Sequence, residues 1–195
     1  MSLEKLLSEI LHANLDSLSV FRYLRILEDS FSMPQSKRLL LDTSIYGIFA
    51  ESEALELVEK IASSEKIIVY GFSIVRKELR DTPKTVVKKG RKLRNVLLGY
   101  YDFITEGHFL PLTRLIEVLA EEYLKSYDGG ISKAKLKSDF MIVACASLNG
   151  LDILVSADNH SMFSKKAIEA YLKVNNQNGL RTPQFYSPKQ LEQLL

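Results

Sequence analysis

SDFMIVACASLNGLDILVSAD, residues 138–158, reads as a helix and a strand written end to end. The first part is apolar almost throughout and closes on Gly150, the residue type that most readily ends a helix in a left-handed conformation. The second, DILVSAD, is apolar and too short for a helix, so it is a buried strand that stops at Asp158. A carboxylate at the rim of a core is costly unless it forms a turn, pairs with a cation or binds a metal.

The same pattern recurs upstream. RLLLD, residues 38–42, is a continuously apolar strand that also ends on an aspartate, Asp42, and KIIVYG, residues 66–71, is another buried strand. SEALELVEKIASS (52–64), SIVRKELR (73–80) and RLIEVLAEEYLKSYDGG (114–130) have helical spacing, the second of them bounded by Pro83. In QFYSPKQLEQLL (184–195), Ser187 as N-cap, Pro188 at the first helical position and Gln190 three residues beyond the cap make a capping signature. Strands that are apolar throughout, each followed by a helix, require a parallel sheet covered on both faces. The predicted class is α/β, three layers of helix, mainly parallel sheet and helix.

The 195 residues, 46% of them apolar, suffice for one ordinary domain with a core. Leu3, Leu6, Leu7, Ile10, Leu11, Leu18, Phe21, Leu24 and Leu27 recur at helical spacing, and SFSMPQSK (30–37) follows as a linker. An N-terminal helical extension over residues 1–33 and a main domain over 34–195 are therefore expected. The 26 basic and 24 acidic residues leave a formal charge of +2, which by itself neither selects nor excludes nucleic acid. The single cysteine, Cys145, excludes internal disulfides and a cysteine zinc site, and its apolar setting marks a core thiol. Acids among the first leucines speak against a signal peptide, and no apolar run is long enough to span a bilayer, so a cytoplasmic protein is expected.

Ligands of open parallel sheets bind outside the carboxyl ends of the strands. Asp42 and Asp158 end strands there, Glu78 lies early in the helix after the second strand, and Asp139 starts the helix that follows KLKS. Each taken alone reads as a turn former or a solvated helical acid. Four carboxylates on one edge repel, and a divalent cation removes that repulsion; oxygen donors without histidine or thiol select Mg²⁺ or Mn²⁺ over zinc.

KTVVKKGRKLRNVLLGYY, residues 84–101, gathers Lys84, Lys88, Lys89, Arg91, Lys92 and Arg94 ahead of Tyr100 and Tyr101, and Lys133, Lys135 and Lys137 precede Asp139. Such clustering is a footprint for phosphates, with tyrosines able to stack on unpaired bases; the competing reading is a solvated helix face with the tyrosines in the core. His160 beside Asp158 reads as a surface residue, and His12 and His108 have no partner in the sequence.

LLLDTS (39–44), YGFSIVRKEL (70–79) and SDFMIVACASLNGLDILVSADN (138–159) resemble the successive motifs of the PIN-domain ribonucleases, a family that includes toxins of prokaryotic toxin–antitoxin pairs. The resemblance spans roughly residues 38–195. It implies a three-layer α/β/α nuclease that hydrolyses RNA phosphodiesters at an acidic Mg²⁺ or Mn²⁺ site, leaving a 5′-phosphate and a 3′-hydroxyl. It also implies a homodimer and, for a toxin, an antitoxin protein as partner. Residue by residue, Asp42, Glu78, Asp139 and Asp158 match the four acids, Ser44 the hydroxyl after the first, and Ser156 the hydroxyl before the last. The resemblance then assigns Asp42, Asp139 and Asp158 to the metal, Glu78 to a ligand or water-orienting role, and Ser44 and Ser156 to fixing carboxylates. Lys88, Lys89, Arg91, Lys92, Arg94 and Lys137 are the candidate RNA contacts. After the last acid the family often carries a further acid, whereas this chain has Asn159, which offers a carbonyl oxygen and no charge.

The reading from another class is a noncatalytic RNA-binding or assembly module on the same fold. A dehalogenase-like phosphatase with Asp42 as nucleophile needs an acid where Ser44 stands, and no glycine-rich phosphate loop of the NTPase type is present.

Overall fold

Leu39, Leu40 and Leu41 are each no more than 1% exposed, so both faces of their strand are covered, as a continuous apolar run demands. The computed structural model describes residues 36–52 and 54–195, and the expected helical extension over residues 1–33 lies outside them. Strand β1 (Lys37–Leu41) pairs in parallel with β2 (Ile67–Phe72), Leu39 opposite Val69. On its other side lies β6 (Ile153–Val155), Leu41 opposite Val155. With β5 (Phe109–Leu110) beside β2 and β7 (Gln184–Tyr186) beside β6, the described residues make a five-stranded sheet, order β5-β2-β1-β6-β7, every pair parallel.

Helices fill the crossovers. Helices α1 (Thr43–Ser52) and α2 (Leu55–Ala62) join β1 to β2, and α3 (Ser73–Asp81) follows β2, ending just before Pro83. They pack with α4 (Leu93–Thr105), where Tyr46 of α1 meets Tyr101 with ring centroids 5.6 Å apart. A second group holds α5 (Arg114–Ser126), α6 (Lys133–Leu148) and α7 (Lys165–Gln177). Tyr123, Phe140 and Tyr171, one from each of these helices, meet edge to face. Leu136 and every residue from Phe140 to Ser147 is buried, which is why the second half of α6 is apolar all round rather than striped. Cys145 lies there, fully buried, and burial pushes its thiol up to about 12, far from a reactive thiolate. The last helix, α8 (Pro188–Glu192), starts as its capping residues require: Gln190 Oε1 accepts the Ser187 amide at 2.9 Å.

Two features differ from the sequence reading. Helix α6 begins at Lys133 rather than at Asp139, because Lys133, Ala134, Lys135 and Lys137 are good helix formers and Leu136 is fully buried among them. Asp139 is thus interior to a helix, and the helix-start reading of that acid is set aside. The basic stretch begins with a hairpin, β3 (Val87–Lys88) and β4 (Arg91–Lys92), turned by Lys89 and Gly90, both at positive φ as a two-residue hairpin turn requires. Among the described residues no helix is long and apolar enough to cross a membrane.

Candidate active site

The parallel register of β1 and β6 sets the site. Because Leu41 stands opposite Val155, the residues that follow, Asp42 and Ser156, leave the sheet side by side, and the Asp42 amide donates to Val155 O at 2.9 Å. Asp42 is only 6% exposed, so its carboxylate needs partners. Ser44 Oγ donates to Asp42 Oδ2 at 2.7 Å and Ser156 Oγ donates to the same oxygen at 2.8 Å. Each hydroxyl then accepts an amide, Ser44 from Ala157 at 3.1 Å and Ser156 from Asp158 at 3.0 Å. Two serines thereby tie the ends of β1 and β6 to one oxygen of Asp42, and among the described residues no hydrogen bond falls on Oδ1.

Asp158 closes a tight turn. Its Oδ1 accepts the amides of His160 and Ser161, both at 2.8 Å, and its Oδ2 takes the Ser161 hydroxyl. Burial works against its charge, but those donors and the nearby His160 overcome burial and hold the carboxyl below its usual value. Ser161 Oγ also lies 2.6 Å from Asp139 Oδ2, so α6 is tied to the turn through one hydroxyl. Burial raises the Asp139 carboxyl to about 6; the charges of Asp42, Asp158 and Glu78 add to the rise, and the Ser161 hydrogen bond opposes it. Glu78, reaching in from α3, accepts the Thr43 hydroxyl at 2.5 Å.

Asp42 and Asp158 thus lie just beyond β1 and β6, Glu78 on α3 and Asp139 on α6, and the charges of the other three act on the Asp139 carboxyl. Among the described residues no three Asp, Glu, His or Cys side chains close on a point as a finished metal shell would. The donor chemistry, carboxylates and hydroxyls, fits a hard cation of the Mg²⁺ or Mn²⁺ kind. Asn159 and His160 are exposed, and His160 contributes its amide to the turn.

Two residues of the site escape the sequence reading. Thr43 sits between Asp42 and Ser44 and holds Glu78. Ser161, three residues beyond Asp158, stands where a hydroxyl can answer an Asx turn, and that spacing was the available signal.

Of the basic residues, Lys89, Arg91, Lys92 and Lys137 are exposed, and Lys88 and Arg94 are half-buried. Tyr100 is half-buried, but Tyr101 is 2% exposed and donates its hydroxyl to Phe72 O at 3.2 Å. Tyr101 is a core residue, and its reading as a base-stacking side chain is corrected: the ring fills the space over Gly71.

No family model and no curated protein matches the chain. Among solved structures, VapBC2 from Rickettsia felis bound to a DNA fragment from their promoter aligns at TM-score 0.50 with 13% identity, covering 77% of this chain and 98% of that one. FitAB bound to an IR36 DNA fragment aligns at TM-score 0.48 with 19% identity over 77% of this chain and 94% of that one. FitAcB from Neisseria gonorrhoeae aligns at 0.49 with 20% identity over 77% and 98%. The likeness to the Rickettsia felis structure is one of fold, and the chain has the PIN-like α/β fold that its motifs imply.

Proposed function

We propose that the chain is a metal-dependent endoribonuclease whose site is built on Asp42, Glu78, Asp139 and Asp158. The observation that carries this reading is that Asp42 and Asp158 follow adjacent parallel strands β1 and β6, and that they and Glu78 of α3 lie near enough to Asp139 of α6 for all three charges to raise its carboxyl. A bound Mg²⁺ or Mn²⁺ would supply polarisation of a phosphate oxygen and a water of lowered pKa. The chain supplies the rest. Ser44 and Ser156 hold Asp42 by one oxygen, leaving the other to the ion. Ser161 keeps Asp139 and Asp158 at a fixed spacing, and Thr43 orients Glu78 towards the position from which it would ligate or align water. Lys88, Lys89, Arg91, Lys92, Arg94 and Lys137 would neutralise phosphates of the RNA strand.

The motif resemblance extends the proposal to a toxin with an antitoxin protein as partner, acting as a homodimer in the cytoplasm. The aligned VapBC2 structure, an assembly on promoter DNA, supports looking for that second polypeptide. The test is incubation of the wild type and an Asp42→Asn, Asp139→Asn variant with mixed structured and single-stranded RNA in Mn²⁺, Mg²⁺ or EDTA. Cutting that needs metal and disappears in the variant is expected. RNA bound and left uncut by both proteins overturns the nuclease in favour of a noncatalytic RNA-binding module.

A further inference from the structure

Beyond the acids, the structure holds a cleft of about 310 Å³ between the end of α1, the start of α2, the β3–β4 hairpin and α4. Its lining includes apolar Ala50, Leu55, Leu93 and Val96 together with Tyr100. Lys88, Lys89 and Arg91 also line it, and among the described residues no acid does. The cations are held in place by the hairpin: Val87 pairs with Lys92 and Lys88 with Arg91 across the turn at Lys89 and Gly90. We propose that this cleft is a subsite for single-stranded RNA, in which one unpaired base enters against Tyr100 while the adjoining phosphates lie on Lys88 and Arg91. The proposal rests on the nuclease reading only for the strand's course from the acids to the cleft.

Three observations favour this occupant. Among the described lining residues every charge is positive, which suits an anionic ligand. The volume lies at the small end of ligand pockets, enough for one flat ring system but not for the row of side chains that an amphipathic helix inserts into a groove. The location fits a strand that also passes the acids: α1 begins directly after Asp42, and Ala50 stands seven residues beyond Thr43 on the same helix, roughly 10 Å along its axis. A base stacked on an aromatic ring beside point charges is the usual mode of sequence-tolerant single-strand binding.

The test is fluorescence anisotropy with the full chain in EDTA, where no cutting competes, using a labelled single-stranded RNA oligomer and the same sequence as a duplex. The wild type is expected to prefer the single strand. Tyr100→Ala should weaken single-strand binding by about five-fold or more, while Tyr100→Phe retains it. A Lys88→Ala, Arg91→Ala variant should weaken it further and flatten the dependence on log salt by about 1.4, two phosphate contacts at ~0.7 each. Melting temperatures of all variants, measured alongside, show that each is folded. Equal affinity of folded Tyr100→Ala and wild type for the single strand overturns the proposal. So does a synthetic acidic amphipathic peptide that binds the wild type and loses affinity in Tyr100→Ala while RNA affinity stays unchanged. Cutting is read separately in Mn²⁺. A wild type that binds through Tyr100 but never cuts removes the nuclease reading and supports the cleft; one that cuts while Tyr100→Ala binds normally removes the cleft alone.

Discussion

Ser161 Oγ stands 2.6 Å from Asp139 Oδ2 and at the same time contacts Asp158 Oδ2. A hydroxyl has one hydrogen to give, so it can serve only one of the two at a time, and the contact with the other is repulsive while both acids are ionised. Burial and the neighbouring acids raise Asp139 to about 6, whereas Asp158, despite burial, is held below its usual value by its donors, so Asp139 is the acid that takes up a proton first as pH falls.

That order of protonation predicts a pH dependence of the metal-free fold. The folded Asp139 carboxyl, at about 6, lies above its ordinary 3.8, so the folded state binds that proton more tightly than the unfolded chain. Its contribution to stability is full below the ordinary value and is lost as pH rises through about 6. Asp158 has the opposite sign and acts only at lower pH, where its lowered carboxyl begins to protonate. Asp139→Asn should abolish the decline and, at neutral pH in EDTA, stabilise the fold by about 1 kcal/mol after allowance for partial exposure, or ~2–4 °C in Tm. Thermal melts of both proteins from acid to neutral pH provide the check, and parallel curves would refute this assignment.

Ser161→Ala removes the hydroxyl that bridges two acids. In EDTA the variant should lose about 1–2 kcal/mol, because two partly buried carboxyls lose a partner together. In saturating Mn²⁺ the loss should shrink, since the ion then screens the same pair. Urea titrations with and without metal measure both numbers, and a loss independent of metal would confine Ser161 to capping its turn.

Metal binding itself is open to the same measurement. Mn²⁺ at about a hundred times its Kd should raise wild-type stability by about 2.7 kcal/mol, and the Asp42→Asn, Asp139→Asn variant should gain almost nothing. An equal gain in both proteins would place the ion elsewhere.

How far the sequence reached can be judged residue by residue. The central strands were legible because RLLLD, KIIVYG and DILV are apolar on both faces, a pattern that only a covered parallel sheet explains. The placement of Asp42 followed from the same pattern, as an acid directly after a buried run must lie at a strand end. Strand β5 was not legible: it spans two residues, and its pairing with β2 is set by the tertiary fold. The start of α6 was misplaced because lysines before a buried face look like linker until Leu136 is known to be in the core. Thr43 and Ser161 were missed because a hydroxyl's role depends on which acid the fold brings to it, and those acids lie 35 and 22 residues away in the chain. Tyr100 and Tyr101 were indistinguishable in sequence, yet one lines a cleft and the other is buried.

That last distinction turns on Gly71, the residue before the last in β2. A Cβ at Gly71 would meet Tyr101 Cζ at 2.7 Å and Thr105 Cγ2 at 3.1 Å, so the strand approaches α4 more closely than any other residue allows. Gly71→Ala should therefore cost about 1–3 kcal/mol by overpacking, and Tyr101→Phe about 1 kcal/mol through the hydrogen bond to Phe72 O. The two changes share one contact, so they should not add: Tyr101→Phe removes the phenol oxygen that the new methyl strikes first. A double-mutant cycle by urea denaturation should show Gly71→Ala costing less in the Tyr101→Phe background. Strict additivity would mean that the strand, rather than the ring, yields to the added methyl.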